Sequence, residues 1–315
     1  MSTIIGSQGE GMLNGIVNIN KESGYTSHDV VAKLRGITKQ KKIGHTGTLD
    51  PDAMGVLPIC FGKGTKVCEL LTNKDKVYLT TLLLGKTSDT QDRSGKILQE
   101  NSTCHLTEEE VIHCIQSFVG ESEQIPPMYS ALKVNGKKLY ELAREGKEIP
   151  RKPRKIIIDE INIVQMNLPR VKMEIRCSKG TYIRTLCHDI GERLGCGGLM
   201  EELWRTQVGN FTLDNAITID EFREIFLKGQ VKDVFIKIDS IFLEYPKLVL
   251  KKGFESMAYN GSPLSVHMFS ESVKLQKDER VRVYDAFQNF IGIYHQVSEG
   301  DGKAKLKVEK MFFYK

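Results

Sequence analysis

The chain has 315 residues, and none of its apolar runs approaches the ~18–20 residues that cross a bilayer as a helix. No charged-then-apolar segment opens it, so no secretory signal is expected. Seven cysteines, at 60, 68, 104, 114, 177, 187 and 196, make an odd set without a Cys-x-x-Cys pair. A disulfide framework is therefore not expected, and a reducing, cytoplasmic setting is. Cys104-His105 and His113-Cys114 lack the spacing of a structural zinc site, and Ile112 and Ile115 beside the second pair read as a helix face. No phosphate-binding nucleotide loop is present either. Gly85-Lys86-Thr87 would need a glycine where Thr80 stands, and Gly62-Lys63-Gly64 has no hydroxyl after its lysine. Internal repeats and low-complexity tracts are absent. The charge excess is small, +5, which permits a nucleic-acid partner without demanding one. With 40% apolar and 27% charged residues, the composition is that of a globular protein of one large or two ordinary domains.

Residues 1–11 (MSTIIGSQGEG) are Gly/Ser-rich and aperiodic, and are expected to be a disordered or vector-derived extension. Gly15 to Ile19 reads as a strand. Ser23-Gly24-Tyr25-Thr26-Ser27 supplies a turn and an N-cap, Val30, Val31 and Leu34 a helical stripe, and Gly36 a stop. Thr65 to Leu71 reads as a short helix and Val77 to Leu84 as a strand. Thr107-x-x-Glu110 is a capping box ahead of Val111, Ile115 and Phe118. Ile156 to Met166 and Val171 to Cys177 read as two strands, and Ile183, Leu186, Ile190 and Leu194 as a helix closed by Gly195. Ile217 to Ile241 is a helical and linking stretch. Beyond about residue 240 short strands dominate (Val281 to Val283, Phe290 to Tyr294, Leu306 to Val308), punctuated by glycines at 253, 261, 292, 300 and 302. The pattern predicts an α+β domain on a largely antiparallel sheet, then a small β-barrel or sandwich.

Four stretches could carry chemistry. Gly44-His45-Thr46-Gly47-Thr48-Leu49-Asp50-Pro51 sets one acid on a glycine-rich turn. Pro51 pushes Asp50 toward an extended conformation, so the carboxylate is presented by a stiff loop. Cys177-Ser-Lys-Gly180-Thr-Tyr182-Ile-Arg184 runs from a strand into a helix, a junction that can aim Tyr182 and Arg184 into a cleft. Lys76-Val77-Tyr78 opens a strand, where an aromatic is an ordinary cross-strand residue. Pro126-Pro127-Met-Tyr129-Ser130-Ala131-x-Lys133 begins a basic stretch that ends in Arg151-Lys152-Pro153-Arg154-Lys155, dense enough for phosphate contacts. Glu141, Glu145 and Glu148 are interleaved, so part of that stretch also reads as a solvated helix face.

From about Met12 to Phe211, these strings and their order resemble the bacterial tRNA pseudouridine synthase B family. The sequence departs from the family pattern at Glu22, where proline is usual, and at Gln207, where arginine is often seen. The resemblance implies the pseudouridine synthase fold, a mixed, mostly antiparallel sheet flanked by helices. That catalytic domain is expected at 12–240, with an RNA-gripping loop at about 124–155, and a small C-terminal β-rich, PUA-like RNA-binding domain at 241–315. It implies isomerisation of uridine-55 in the tRNA T-loop by base flipping and exchange of a C–N for a C–C glycosidic bond. Asp50 falls at the catalytic aspartate, faced by Tyr182 and Arg184. Tyr78 falls where a tyrosine stacks on the target base, and Leu203 where an apolar residue lines the base pocket; read alone, Leu203 is a core leucine. His45 fills the space the base leaves, packs on the flipped nucleotide, or is a plain turn histidine. Lys133, Arg151, Lys152 and Arg154 are the expected RNA contacts. The expected partner is the T-arm of tRNA, bound by a monomer.

Such an isomerisation changes no oxidation state and transfers no group, so no redox cofactor or metal is expected. It needs a group that captures a detached intermediate, as nucleophile or base. Asp50 is that group by expectation; whether it attacks the sugar, attacks the base or removes a sugar proton is left open. Burial would raise its pKa and a cation would oppose the rise. Arg184 is the candidate cation, worth on the order of 4 kcal/mol at ~4 Å in an effective dielectric of about 20. A non-catalytic tRNA-binding or folding module of the same fold is the alternative.

Overall fold

The computed structural model describes residues 12–271, 275–276, 278–298 and 304–313. The expected extension 1–11, and Gly300 and Gly302, lie outside the described residues.

Strand β1 (Gly15–Lys21) leads into helix α1 (Ser27–Thr38). Thr26 caps α1 reciprocally with Asp29: the Asp29 N–H donates to the threonine hydroxyl at 3.1 Å, and the Thr26 N–H to the carboxylate at 2.8 Å. Such a cap is worth about 1 kcal/mol. The helix runs two residues past Gly36 and ends on a left-handed Lys39, φ 56°, so Gly36 is not the stop. Strands β2 (Ile43–His45) and β3 (Met54–Phe61) flank the Asp50 turn. Helix α2 (Cys68–Thr72), strand β4 (Lys76–Leu84) and a small hairpin, β5 (Lys86–Ser88) with β6 (Ile97–Glu100), follow. Helix α3 (Glu108–Gln116) starts at the Thr107–Glu110 capping box. Strand β7 (Gly120–Gln124) then precedes the basic segment, which holds a two-residue hairpin, β8 (Lys133–Val134) with β9 (Lys137–Lys138), and helix α4 (Leu139–Arg144). Strands β10 (Arg154–Asn167) and β11 (Arg170–Cys177), helix α5 (Ile183–Arg193), strands β12 (Gly198–Val208) and β13 (Phe211–Thr212), and helix α6 (Ile219–Leu227) complete this part.

The main sheet runs β1-β3-β12-β4-β11-β10-β7, with β2 and β13 as side pairings. Every pairing in it is antiparallel except β12 with β3, so the sheet is mixed and mostly antiparallel as the resemblance implied. Strand periodicity sorts its side chains into two cores. Val17, Ile19, Leu57, Ile59 and Phe61 join the stripes of α1, α3, α5 and α6 in one cluster. Ile16, Val56 and Cys60 point the other way and pack with Phe242, Ile293 and Phe312.

The C-terminal part is a five-stranded sheet in the order β14 (Lys247–Val249), β16 (Arg280–Tyr284), β17 (Phe290–Ser298), β18 (Ala304–Met311), β15 (Leu264–Ser265), with helix α7 (Glu255–Tyr259) beside it. Hydrogen bonds from Lys251 N–H to the Met268 carbonyl, 2.8 Å, and from Ser270 N–H to the Val249 carbonyl, 2.9 Å, draw its two edges together. This is the barrel-like alternative of the sequence reading. Gly292 lies inside β17 and does not punctuate it: a Cβ there would stand 2.4 Å from the Lys310 carbonyl oxygen of the neighbouring strand.

Candidate active site

Asp50 sits on the turn between β2 and β3, and the protein holds that turn from beneath. The Leu49 N–H donates to the buried Ser27 hydroxyl at 2.8 Å. The ammonium of Lys21, wholly buried at the end of β1, donates to the carbonyls of Tyr25, Pro51 and Glu22 at 2.6, 2.9 and 3.0 Å. The guanidinium of Arg205, also fully buried, donates to the carbonyls of Val56 at 2.8 Å and Gly47 at 3.3 Å. Gly55, φ 102°, lies against Arg205: any Cβ there would meet the Arg205 carbonyl at 2.3 Å. Only glycine lets the two backbones approach so closely. A cation on each side thus ties down the carbonyls around the acid.

Arg184 arrives from α5. Its Nε lies 3.0 Å from Asp50 Oδ2, and its Nη2 donates to Oδ1 at 3.4 Å. The guanidinium is itself held, donating to the carbonyls of Thr90 at 3.0 Å and Tyr129 at 2.9 Å, with Asp92 3.6 Å away. Asp92 in turn accepts from Thr90 Oγ1, the Ser94 N–H and Ser94 Oγ. The Asp50 side chain keeps 39% of its surface open to the cleft, against 5% for Arg184. The arginine is therefore the buried support and the carboxylate the accessible group. Crowding by protein still pushes the Asp50 pKa above the ordinary carboxylate value; Arg184 and Lys21 oppose that rise, and Asp92 and Asp52 add to it.

The cleft is lined by Asp50, Ala53, Met54, Asp92, Met200 and Leu203, among others, around about 90 Å³. Leu203 and Arg205 follow one another on the same face of β12, opposite Thr80 and Tyr78 of β4. Tyr78 is buried beside Arg205, its partner across the β12–β4 ladder, and burial raises the pKa of its phenol. Tyr182 is half-buried just before α5; burial is the main cause of its raised pKa too, so it is a neutral phenol at physiological pH. His45 accepts the Gly47 N–H on Nδ1 at 3.3 Å and meets the His28 ring edge-on at 5.2 Å. Burial, with His28 and Arg205 nearby, lowers its pKa to about 4, so the ring is neutral.

The basic residues of the 124–155 segment are not equivalent. Arg151 is committed to Glu148, 2.8 Å, and to the Pro126 carbonyl, 3.1 Å. Lys155 pairs with Glu121 at 2.9 Å. Lys133, Lys152 and Arg154 are exposed and form no ion pair among the described residues.

Lys21, Asp92 and Arg205 were not singled out from sequence. Lys21 had a signal, since it shares the inward parity of Val17 and Ile19 on β1. Arg205 shares parity with Leu203 in the same way. Asp92, in a polar loop, had none.

Residues 35–183 match the TruB family pseudouridylate synthase N-terminal domain, and 184–243 the tRNA pseudouridylate synthase B C-terminal domain. The chain is 50% identical over 292 residues to tRNA pseudouridine synthase B of Lachnoclostridium phytofermentans, covering 90% of this chain and 95% of that one. It is 42% identical over 296 residues to the protein of that name from Clostridium tetani, covering 94% and 100%. Among solved structures, one in a Cbf5-Nop10-Gar1 complex aligns with a TM-score of 0.70 at 26% identity, over 95% of this chain and 85% of that one. One in an H/ACA RNP bound to a substrate RNA containing 2'-deoxyuridine aligns at 0.69 and 24%, with the same coverage, a likeness of fold.

Proposed function

Because the chain belongs to the TruB family of pseudouridylate synthases, we propose that it converts uridine-55 in the T-loop of tRNA to pseudouridine, with Asp50 as its catalytic carboxylate. It is an isomerase that acts on tRNA. The observation that supports the choice of Asp50 is the pairing across 134 positions of sequence: an accessible carboxylate held 3.0 Å from a buried, carbonyl-anchored guanidinium.

Asp50 captures the detached intermediate as nucleophile or base. Arg184 favours the ionised form and fixes the direction of the carboxylate. A base stacked in a folded loop is out of reach, so the uridine flips out. Tyr78 offers it a new stacking face, worth about 1–3 kcal/mol, and Leu203 an apolar wall. Tyr182, neutral in its own environment, serves as proton carrier or packing wall. His45, uncharged, lines the space beside the turn without adding a second cation. Lys133, Lys152 and Arg154 supply phosphate contacts from the 124–155 segment, and Arg151 shapes that segment through Glu148 and Pro126. The domain boundary falls near 240, and the five-stranded C-terminal sheet is a PUA-like RNA-binding unit. The enzyme works as a cytoplasmic monomer with no cofactor.

The test is incubation with unmodified tRNA transcript and position-resolved detection of the product. Conversion at the T-loop uridine is expected; binding of the transcript without conversion at any uridine would favour a folding module.

A further inference from the structure

We propose that Gln124 is a positioning residue that aims Tyr182 and couples that aim to the seating of RNA by the 124–155 segment. Gln124 is the last residue of β7, buried, with 4% of its surface exposed. Its side-chain amide grips the main chain of Tyr182 twice: Oε1 accepts the Tyr182 N–H at 2.8 Å, and Nε2 donates to the Tyr182 carbonyl at 3.0 Å. The side chain thus acts as a one-residue strand partner.

Tyr182 needs such a partner. It stands extended, φ −98° and ψ 108°, between the turn at Gly180 and the first residue of α5, and no side chain caps that helix. Its carbonyl already accepts the first helical hydrogen bond, from Leu186 at 3.0 Å. Gln124 thus fixes the rotation of the peptide groups on either side of this residue, and the phenol direction follows the backbone.

Position in the fold supplies the coupling. Gln124 pairs with Arg154 across the β7–β10 ladder, so these two residues close the base of the excursion 125–153. The excursion touches the catalytic groups again at its near end, where the Tyr129 carbonyl accepts from Arg184 at 2.9 Å. The neighbouring Ser130 is buried, and its hydroxyl lies beside the Tyr182 phenol. Arg154 is close enough to bias the Tyr182 phenol electrostatically. One amide thus joins the base of this segment to the Tyr182 backbone, which is the link the proposed coupling uses.

The proposal rests on the reading of Tyr182 as a group that faces the reacting base. Its test uses the full chain and unmodified tRNA transcript, with RNA binding and single-turnover product formation measured separately. Gln124→Ala should slow the single-turnover step at saturating RNA by roughly 10–100-fold, the scale of an ångström-level misplacement, while RNA affinity stays within about three-fold. Gln124→Glu keeps the shape. Its protonated form retains both donor and acceptor, whereas its ionised form loses the donor and sets a charge against the Tyr182 carbonyl. The rate of that variant relative to the parent should therefore rise as pH falls. An alanine variant with the parental rate, a loss carried wholly by affinity, or a Glu-to-parent ratio flat in pH would each overturn the proposal. A parent protein that makes no pseudouridine would instead overturn the functional reading beneath it.

Discussion

The cleft and the 124–155 segment both concentrate positive charge, and they use it in opposite ways. Lys21, Arg184 and Arg205 are buried, and each donates to backbone carbonyls, Arg184 to the Asp50 carboxylate as well. They act as internal braces that present one carboxylate. Lys133, Lys152 and Arg154 stand in solvent, while Arg151 and Lys155 are already tied to glutamates. Braces of the first kind are geometrically specific and poorly screened by salt. Contacts of the second kind are interchangeable, weak one by one and salt-sensitive. Density of positive charge along a sequence therefore marks the exposed segment proposed to face RNA and passes over the buried cations that brace the Asp50 turn.

Substitutions can break that contrast, beginning where the effect should be largest. Asp50→Asn should abolish pseudouridine formation while RNA affinity stays within a few-fold. Its folded-state pKa is raised, so ionised Asp50 opposes folding as pH climbs through the window above the ordinary carboxylate value. The variant should accordingly melt no lower than the parent at neutral pH. A normal product yield would remove Asp50 from the mechanism. Arg184→Lys keeps the charge but forfeits the planar fork that reaches Asp50, Thr90 and Tyr129 together, and should lower the single-turnover rate roughly 10²–10³-fold. If lysine suffices there, the brace is electrostatic only.

Removing Lys152 and Arg154 together should flatten the dependence of log affinity on log salt by about 1.4–1.8, two phosphates at about 0.7–0.9 each, with little change in rate at saturating RNA. Replacing Arg151 and Lys155 should do less, because their charges are already partnered. Equal slopes for the two pairs would erase the distinction drawn from their geometry. The smallest effect concerns pH. With ionised Asp50 as the proposed catalytic group, the acid limb of activity should lie above the ordinary carboxylate value. Asp92 is among the groups that hold it there, and Asp92→Asn should move the limb to lower pH in a rate–pH profile; a limb that stays put would show that Asp92 acts only through the position of Arg184.

Legibility was uneven for physical reasons. The caps at Thr26 and Thr107 were readable because they are local, three-residue devices. Strand β12, in the middle of the sheet, was not read as a strand. It carries Glu201 and Glu202, and its register slips between Met200 and Glu202 and again between Arg205 and Gln207, so the two-residue alternation that betrays a strand is broken. Helix α1 overran Gly36 because Val30, Val31 and Leu34 are packed into the core and carry the turn beyond the flexible residue. The C-terminal strands β17 and β18 extend past their apolar centres because ladder pairing continues through polar residues.

Residue identity in short strings was enough to bring out the family and to single out Asp50 and Arg184 as a candidate pair, since motif chemistry resides in a few neighbouring side chains. It was also enough to place most helices and strands, whose periods are local. What it could not contain was distance. The 3.0 Å approach of Arg184 to Asp50, the carbonyls that Lys21 and Arg205 hold, and the grip of Gln124 on Tyr182 all join residues far apart along the chain. Those contacts exist only once a mixed sheet has closed over a common core, because a buried charge or amide finds its partners by where the backbone passes and not by what stands beside it in sequence.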